Sequence, residues 1–164
     1  MNYEIVQITD EHIEGFRDAV DFVARERLYL MALEGFSLER AQTYVSWNRT
    51  KNLPHLIALD NNHVVGWCDI RTLDVPSAKH SGILGMGLIK SHRGKGLGEK
   101  LIHTTLTATK EVGLTRVELT VRETNLPAIA LYKKVGFEIE GIQRNAICID
   151  GVYTNHIAMA ILFE

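Results

Sequence analysis

Six consecutive residues carry the clearest chemistry in this chain: Arg93, Gly94, Lys95, Gly96, Leu97 and Gly98. They lie between a short apolar run over 83–89 and an amphipathic run over 99–112. Glycines at alternate positions let backbone approach a ligand closely, because no Cβ fends it off. A helix beginning at such a turn aims unpaired N–H groups and the positive end of its dipole at one point. That is an anion site, and pyrophosphate is the anion it suits best. Further along, Asn125 and Tyr132 stand two helical turns apart and share one helix face. Seven histidines are scattered at 12, 55, 63, 80, 92, 103 and 156, with no pair at metal-ligand spacing, so no metal is predicted.

The elements that must position these residues are legible from patterning. A strand is expected over 3–8, then a helix capped by Asp10 and running to about Leu33, with Glu34-Gly35 as its stop. Ser37 caps a second helix bearing Leu38, Ala41, Tyr44, Val45 and Trp47. Strands over 56–59 and 64–70 flank the turn residues Asp60-Asn61-Asn62-His63. The run 74–80 reads as a loop, 83–89 as the strand before the glycines, and Gly113 as the stop of the following helix. A strand over 116–121 and a helix over 126–135, capped by Asn125, come next. Strands over 137–149 and 152–163 surround Asp150-Gly151. The order β-α-α-β-β-β-α-β-α-β-β predicts an α/β fold, a mixed sheet with helices on both faces. With no repeat or linker, 1–164 reads as a single domain.

Composition narrows the class. The chain has 164 residues, is 46% hydrophobic and 23% charged, and carries a formal net charge of −2. That is ordinary globular composition, without the basic excess of a nucleic-acid or membrane-surface binder. Cys68 and Cys148 sit in apolar runs and read as reduced core thiols. The polar, acidic start lacks a signal sequence, and no run approaches a membrane span, so a cytoplasmic location is expected. In that compartment the sequon Asn48-Arg49-Thr50 would carry no glycan.

Two familiar nucleotide loops fit poorly. A Walker loop needs Lys-Ser/Thr after its last glycine, but Gly94-Lys95 is followed by Gly96. A dinucleotide fold needs Gly-x-Gly-x-x-Gly after its first strand, and here the spacing differs and the motif comes late. The loop after Met86-Gly87-Leu88, followed by Asn125-x6-Tyr132-x3-Gly136-Phe137, instead resembles the GNAT superfamily of acetyl-CoA-dependent N-acetyltransferases. The ending Asp150-Gly151-x-Tyr153-x4-Ala158-Met159-Ala160 is similar to many small members, so the resemblance runs along nearly the whole chain.

The resemblance implies a GNAT fold with about seven strands and about four helices. It implies that backbone N–H groups of Arg93, Gly94, Lys95, Gly96, Leu97 and Gly98 hold the CoA pyrophosphate, with Arg93 and Lys95 adding positive charge. Backbone of Met86, Gly87 and Leu88 would hold the pantetheine arm, beside a bulge that splays the neighbouring strand; glycines at 85 and 87 suit a bulge or close approach. Asn125 would touch the cofactor or adjoining backbone. Tyr132 would give a proton to the departing thiolate, for which a phenol near pKa 10 is suited.

Some members place a glutamate as base where this chain has Thr120, which cannot serve; Glu118, two residues earlier on the same strand face, is the expected substitute, acting through water. Trp67, Asp69 and Arg71 also share a face; they either line the acceptor site or simply pair as Asp69–Arg71, and the pair is the preferred reading. The acceptor pocket of this fold implicates Glu26, Tyr29 and Phe36, with Leu30, Glu34, Asn145 and Tyr153 behind them; acidic and aromatic groups suit a cationic amine.

The expected activity is acetyl transfer from acetyl-CoA to a primary amine by direct attack in a ternary complex, on a small molecule such as an amino acid or polyamine. Protein N-terminal or lysine acetylation is the alternative within the class. A non-catalytic CoA-binding regulatory module is the alternative outside it. The resemblance adds a homodimer through the last strands, with Ile157, Ala158, Met159 and Ile161 facing either a partner or the core.

Overall fold

Asn61 and Asn62 both adopt positive φ, 48° and 64°, and Asp150 and Gly151 do the same at 52° and 81°. Paired left-handed residues match the twist of a two-residue hairpin, so these turns close where the sequence puts them. The computed structural model describes residues 2–164. The first turn joins β2 (His55–Asp60) to β3 (His63–Thr72), and the second joins β6 (Glu138–Ile149) to β7 (Val152–Leu162). With β1 (Glu4–Gln7), β4 (Ser81–Leu88) and β5 (Arg116–Arg122) they form one seven-stranded sheet in the order β1-β2-β3-β4-β5-β7-β6. Only β4 and β5 run parallel among these neighbours.

Four α-helices cover both faces: α1 (Ile13–Arg25), α2 (Leu38–Thr50), α3 (Leu97–Glu111) and α4 (Leu126–Lys134). On one face Phe16, Val23 and Val45 from α1 and α2 pack on Ile57 and Trp67. On the other, Leu101 and Ile102 of α3 pack with Val117, Tyr132, Phe137 and Met159. Leu101, Ile102, Val117 and Met159 have no exposed surface, and truncating such a residue costs roughly 2–5 kcal/mol. Met159 therefore belongs to the core, and Ile157 and Ile161 pack against it. No helix among the described residues is long and apolar enough to cross a membrane.

Three expectations need correction. The first helix stops at Arg25, not near Leu33, because Arg27 turns left-handed (φ 60°) and β5 captures the carbonyls that a longer helix would use. Arg122 donates from Nη1 to the Arg27 carbonyl (2.7 Å) and from Nη2 to that of Leu30. The apolar spacing that mimics helix belongs to a covering loop, in which Leu28 and Met31 stay 55% and 69% exposed. Second, Cys148 is exposed on β6, whereas Cys68 is buried. Third, β4 carries no bulge: its register with β3 is continuous from Thr72↔Gly82 to Gly66↔Leu88. Its glycines make room for the neighbouring strand instead. A Cβ on Gly87 would lie 2.4–2.9 Å from the Trp67 indole, and one on Gly85 would lie 3.3 Å from the Asp69 carboxylate.

Candidate active site

β4 and β5 pair only at Ser81↔Arg116, Gly82↔Val117 and Ile83↔Glu118. Beyond that point β4 continues along β3 to Leu88, while β5 continues along β7 to Arg122↔His156. The two strands diverge, and residues 84–88 have no strand partner on the β5 side. Thr120, in mid-strand, is consequently exposed. The wedge opens into a cleft of about 520 Å³ whose walls come from both faces of the sheet: Asn125 and Tyr132 from one, Tyr44, Trp67 and Asp69 from the other.

The glycine turn follows directly after the unpaired edge of β4. Gly94 and Gly96 adopt φ +72° and +78°, a conformation that costs an L-residue roughly 1–2 kcal/mol. A Cβ at either would meet nothing within 4 Å, so glycine serves backbone shape here and leaves open space beside the turn. The first intrahelical bond of α3 runs from Lys100 N–H to the Gly96 carbonyl (3.2 Å). The N–H groups of Leu97, Gly98 and Glu99 therefore lack helical acceptors, as an anion site requires. Leu97, 2% exposed, roots the helix in the core.

The two basic side chains of this turn, expected to add positive charge beside the pyrophosphate, have protein partners. Arg93 holds Glu26 through two bonds of 2.9 and 2.5 Å, donates from Nε to the Leu88 carbonyl (2.9 Å) and lies over the Tyr29 ring at 4.7 Å. Lys95 donates to the Ser91 carbonyl (2.8 Å). At the strand edge expected to hold the pantetheine arm, Leu88 has its carbonyl occupied, while Met86 lines the cleft directly.

Tyr132 is 8% exposed and lines the cleft, packed at 5.8 Å against the Phe137 ring. Its hydroxyl makes no hydrogen bond to another described residue, and burial raises its pKa, which keeps the proton on oxygen. Asn125 caps α4, its Oδ1 accepting from Ala128 N–H at 3.4 Å, and it also lines the cleft.

Of the expected acceptor residues, Tyr29, Leu30 and Phe36 line the cleft. Glu26 does not: it is paired with Arg93, which lowers its pKa, and it ties the loop after α1 to the glycine turn. Glu34 sits at the surface near Arg25 (3.9 Å). Asn145 lines a separate depression with Arg144 and Asn155, and Tyr153 is 62% exposed. Glu118, the expected base, stands outside the cleft lining. Arg116 holds its carboxylate at 3.2 and 2.9 Å and is itself braced by Glu140.

The carboxylate that does enter the cleft is Asp69. It accepts the Tyr44 hydroxyl rather than forming an ion pair with Arg71. Burial pushes its pKa up to about 6, against the opposing pull of the Tyr44 bond and the Arg71 charge. Alternation along β3 places Asp69 beside Trp67 on one face, but nothing local shows that Tyr44, 25 residues earlier, completes the pair. Arg40, also on the cleft wall, carries no local signal at all. Among the described residues, no cluster of three or more His, Cys, Asp or Glu has a metal-binding arrangement.

A model of the acetyltransferase (GNAT) family matches residues 20–137. The chain is 30% identical over 109 residues to the L-amino acid N-acetyltransferase AaaT of Escherichia coli, covering 66% of this chain and 67% of that one. It is 26% identical over 128 residues to the [ribosomal protein bS18]-alanine N-acetyltransferase of Haemophilus influenzae, covering 78% and 82%. It spans about half the length of two further N-acetyltransferase relatives of Bacillus subtilis, 49% and 58%. Its fold matches that of a GNAT superfamily phosphinothricin acetyltransferase from Sinorhizobium meliloti, solved with acetyl-CoA: TM-score 0.93, 16% identity, 99% of this chain and 89% of that one.

Proposed function

The chain belongs to the acetyltransferase (GNAT) family, and on that premise we propose that it moves an acetyl group from acetyl-CoA to a primary amine by direct attack in a ternary complex. The observation that carries this reading is the wedge between β4 and β5, which leads from an unpaired strand edge to a helix N-terminus built on left-handed glycines. Acetyl-CoA supplies a thioester that an amine attacks and a thiolate that leaves. The backbone of 94–99 fits its pyrophosphate, because both positive-φ glycines leave space where a side chain would intrude.

The chain's own side chains handle the two protons. Tyr132 keeps its hydroxyl protonated and free of protein acceptors, and so donates to the departing sulfur. Asp69 replaces Glu118 as the base. It lines the cleft, and a carboxylate near pKa 6 is ionised at neutral pH and so can take the proton that the amine nitrogen must lose as it bonds to the acetyl carbon. Tyr44 orients it. Cys68 is buried on the opposite strand face and does not line the cleft, which leaves a covalent acetyl-enzyme without a nucleophile.

The names of the relatives point to two acceptors, free amino acids and a protein N-terminus. The test is release of free CoA thiol from acetyl-CoA across amino acids, amino-acid amides, polyamines and N-terminal peptides. Turnover on one class supports the transferase. Tight acetyl-CoA binding without turnover on any class supports the regulatory module.

A further inference from the structure

The chain has ten arginines, and seven of them are held by a carboxylate or a carbonyl. Arg17 pairs with Asp18, Arg25 with Asp21, Arg27 with Asp150, Arg49 with Asp10, Arg93 with Glu26 and Arg116 with Glu118 and Glu140. Arg122 binds the carbonyls of Arg27 and Leu30. The guanidinium groups of Arg40, Arg71 and Arg144 make no hydrogen bond or ion pair with another described residue, and two of these three, those of Arg40 and Arg71, belong to residues that line the cleft.

We infer that the acceptor carries an anion next to its reacting amine, as a free α-amino acid does, and that Arg40 and Arg71 are the residues that select it. The inference rests on the acetyl-transfer reading and names its substrate class. Guanidinium forks match a carboxylate in shape as well as charge. Arg40 comes from α2 and Arg71 from β3, so the two approach the cleft from different elements. Arg71 lies two residues beyond Asp69 on the same strand face, about 7 Å along the backbone. An amine directed at Asp69 thus leaves an adjoining carboxylate within reach of the arginine side chain.

Charge counting excludes the rivals. Among the described residues Asp69 is the only carboxylate on the cleft wall, against two arginines, although the whole chain is net negative at −2. A polyamine would meet like charge. A peptide N-terminus has an amide where the carboxylate would sit and leaves both guanidinium groups unmatched. The remaining wall, with Phe16, Val20, Leu30 and Phe36, suits an apolar side chain.

The test compares kcat/KM for L-leucine, L-leucinamide, an N-terminal leucyl peptide and spermidine, with acetyl-CoA saturating, in the wild type and in Arg40→Gln, Arg71→Gln and the double variant. The inference expects leucine to exceed leucinamide by about 10- to 100-fold. It expects the double variant to erase that preference through the KM for leucine, leaving leucinamide within about threefold. Both arginines are exposed, so an unchanged Tm separates recognition from folding. Leucinamide, peptide or spermidine turned over as well as leucine, or equal losses on leucine and leucinamide in the variants, would overturn the inference while leaving acetyl transfer intact. Absence of CoA release with every acceptor would overturn the transferase reading and this inference with it.

Discussion

Tyr44 on α2 donates its hydroxyl to Asp69 on β3, and the two share the lining of one cleft with Tyr132 of α4. The proposed proton acceptor, Asp69, and the proposed proton donor, Tyr132, therefore reach one cleft from opposite faces of the sheet. Amine acetylation requires that placement, since a proton must leave the nucleophile and another must reach the leaving sulfur.

Replacing Tyr132 by Phe removes a hydroxyl that bonds to no described residue, so folding stability should change by no more than ~0.5 kcal/mol. The kcat should fall by about 10²-fold or more, with the Kd for acetyl-CoA unchanged. Stopped-flow thiol release and calorimetric titration measure the two quantities. Full activity would remove Tyr132 from the chemistry.

Asp69→Asn should stabilise the protein while disabling it. The folded-state pKa of Asp69 is raised from 3.8 to about 6, so the fold favours the neutral form. Below pH 3.8 the buried group costs nothing extra; as pH rises through 6 the full cost of burying its charge appears, roughly 2–3 kcal/mol. The variant's stability gain over wild type should therefore grow from near zero at pH 4 to its maximum above pH 6, by thermal melts. Wild-type kcat/KM should decline as pH falls through about 6, and Asn should lose that dependence along with most of the rate.

His55 works in the opposite direction. It is fully buried between the rings of Phe16 (4.6 Å) and Tyr44 (5.8 Å), and neither ring nitrogen has a hydrogen-bond partner among the described residues. Burial lowers its pKa from 6.5 to about 3. The unfolded chain thus takes up a proton first, and the stability that neutral His55 confers is lost as pH falls below 6.5, by about 1.4 kcal/mol per pH unit. His55→Leu escapes that loss. Relative to wild type it should gain about 2 kcal/mol between pH 8 and pH 5, measured by urea unfolding at both.

Most of this arrangement is visible in the sequence, and what is not has a physical reason. The turns at Asn61-Asn62 and Asp150-Gly151, the glycine loop and the Asn125 cap are local signals and stand where patterning places them. The end of α1 is set by Arg122, 95 residues away from the carbonyl it binds, and no local pattern reports such a contact. Asp69 and Arg71 share a strand face in either reading; their separate roles depend on Tyr44 and on the loop that α1 leaves behind. Glu118 is on the expected strand, but Arg116 and Glu140 hold it away from the opening. Gly87 looks like a bulge glycine because the Trp67 ring that needs its bare backbone comes from the next strand.

The Glu26–Arg93 pair joins the covering loop to the glycine turn. Glu26→Ala should raise the acceptor KM about threefold to tenfold by loosening that loop, and leave the Kd for acetyl-CoA within about twofold. A matched loss of acetyl-CoA affinity would mean that the pair shapes the pyrophosphate turn instead.

Gly96→Ala probes the turn itself. Its φ of +78° imposes roughly 1–2 kcal/mol on alanine, and the added methyl points into the open space beside the N–H groups of α3. The Kd for acetyl-CoA should rise by about tenfold or more in calorimetry, with little change in the acceptor KM. Unchanged acetyl-CoA affinity would remove the turn from pyrophosphate binding.

The most direct test of direct transfer within the cleft is initial-rate kinetics with acetyl-CoA and a free amino acid varied together, CoA and N-acetylated product being quantified in the same samples. The account predicts intersecting double-reciprocal lines and one N-acetyl product for each CoA released. Parallel lines, or CoA released without acetylated amine, would contradict it.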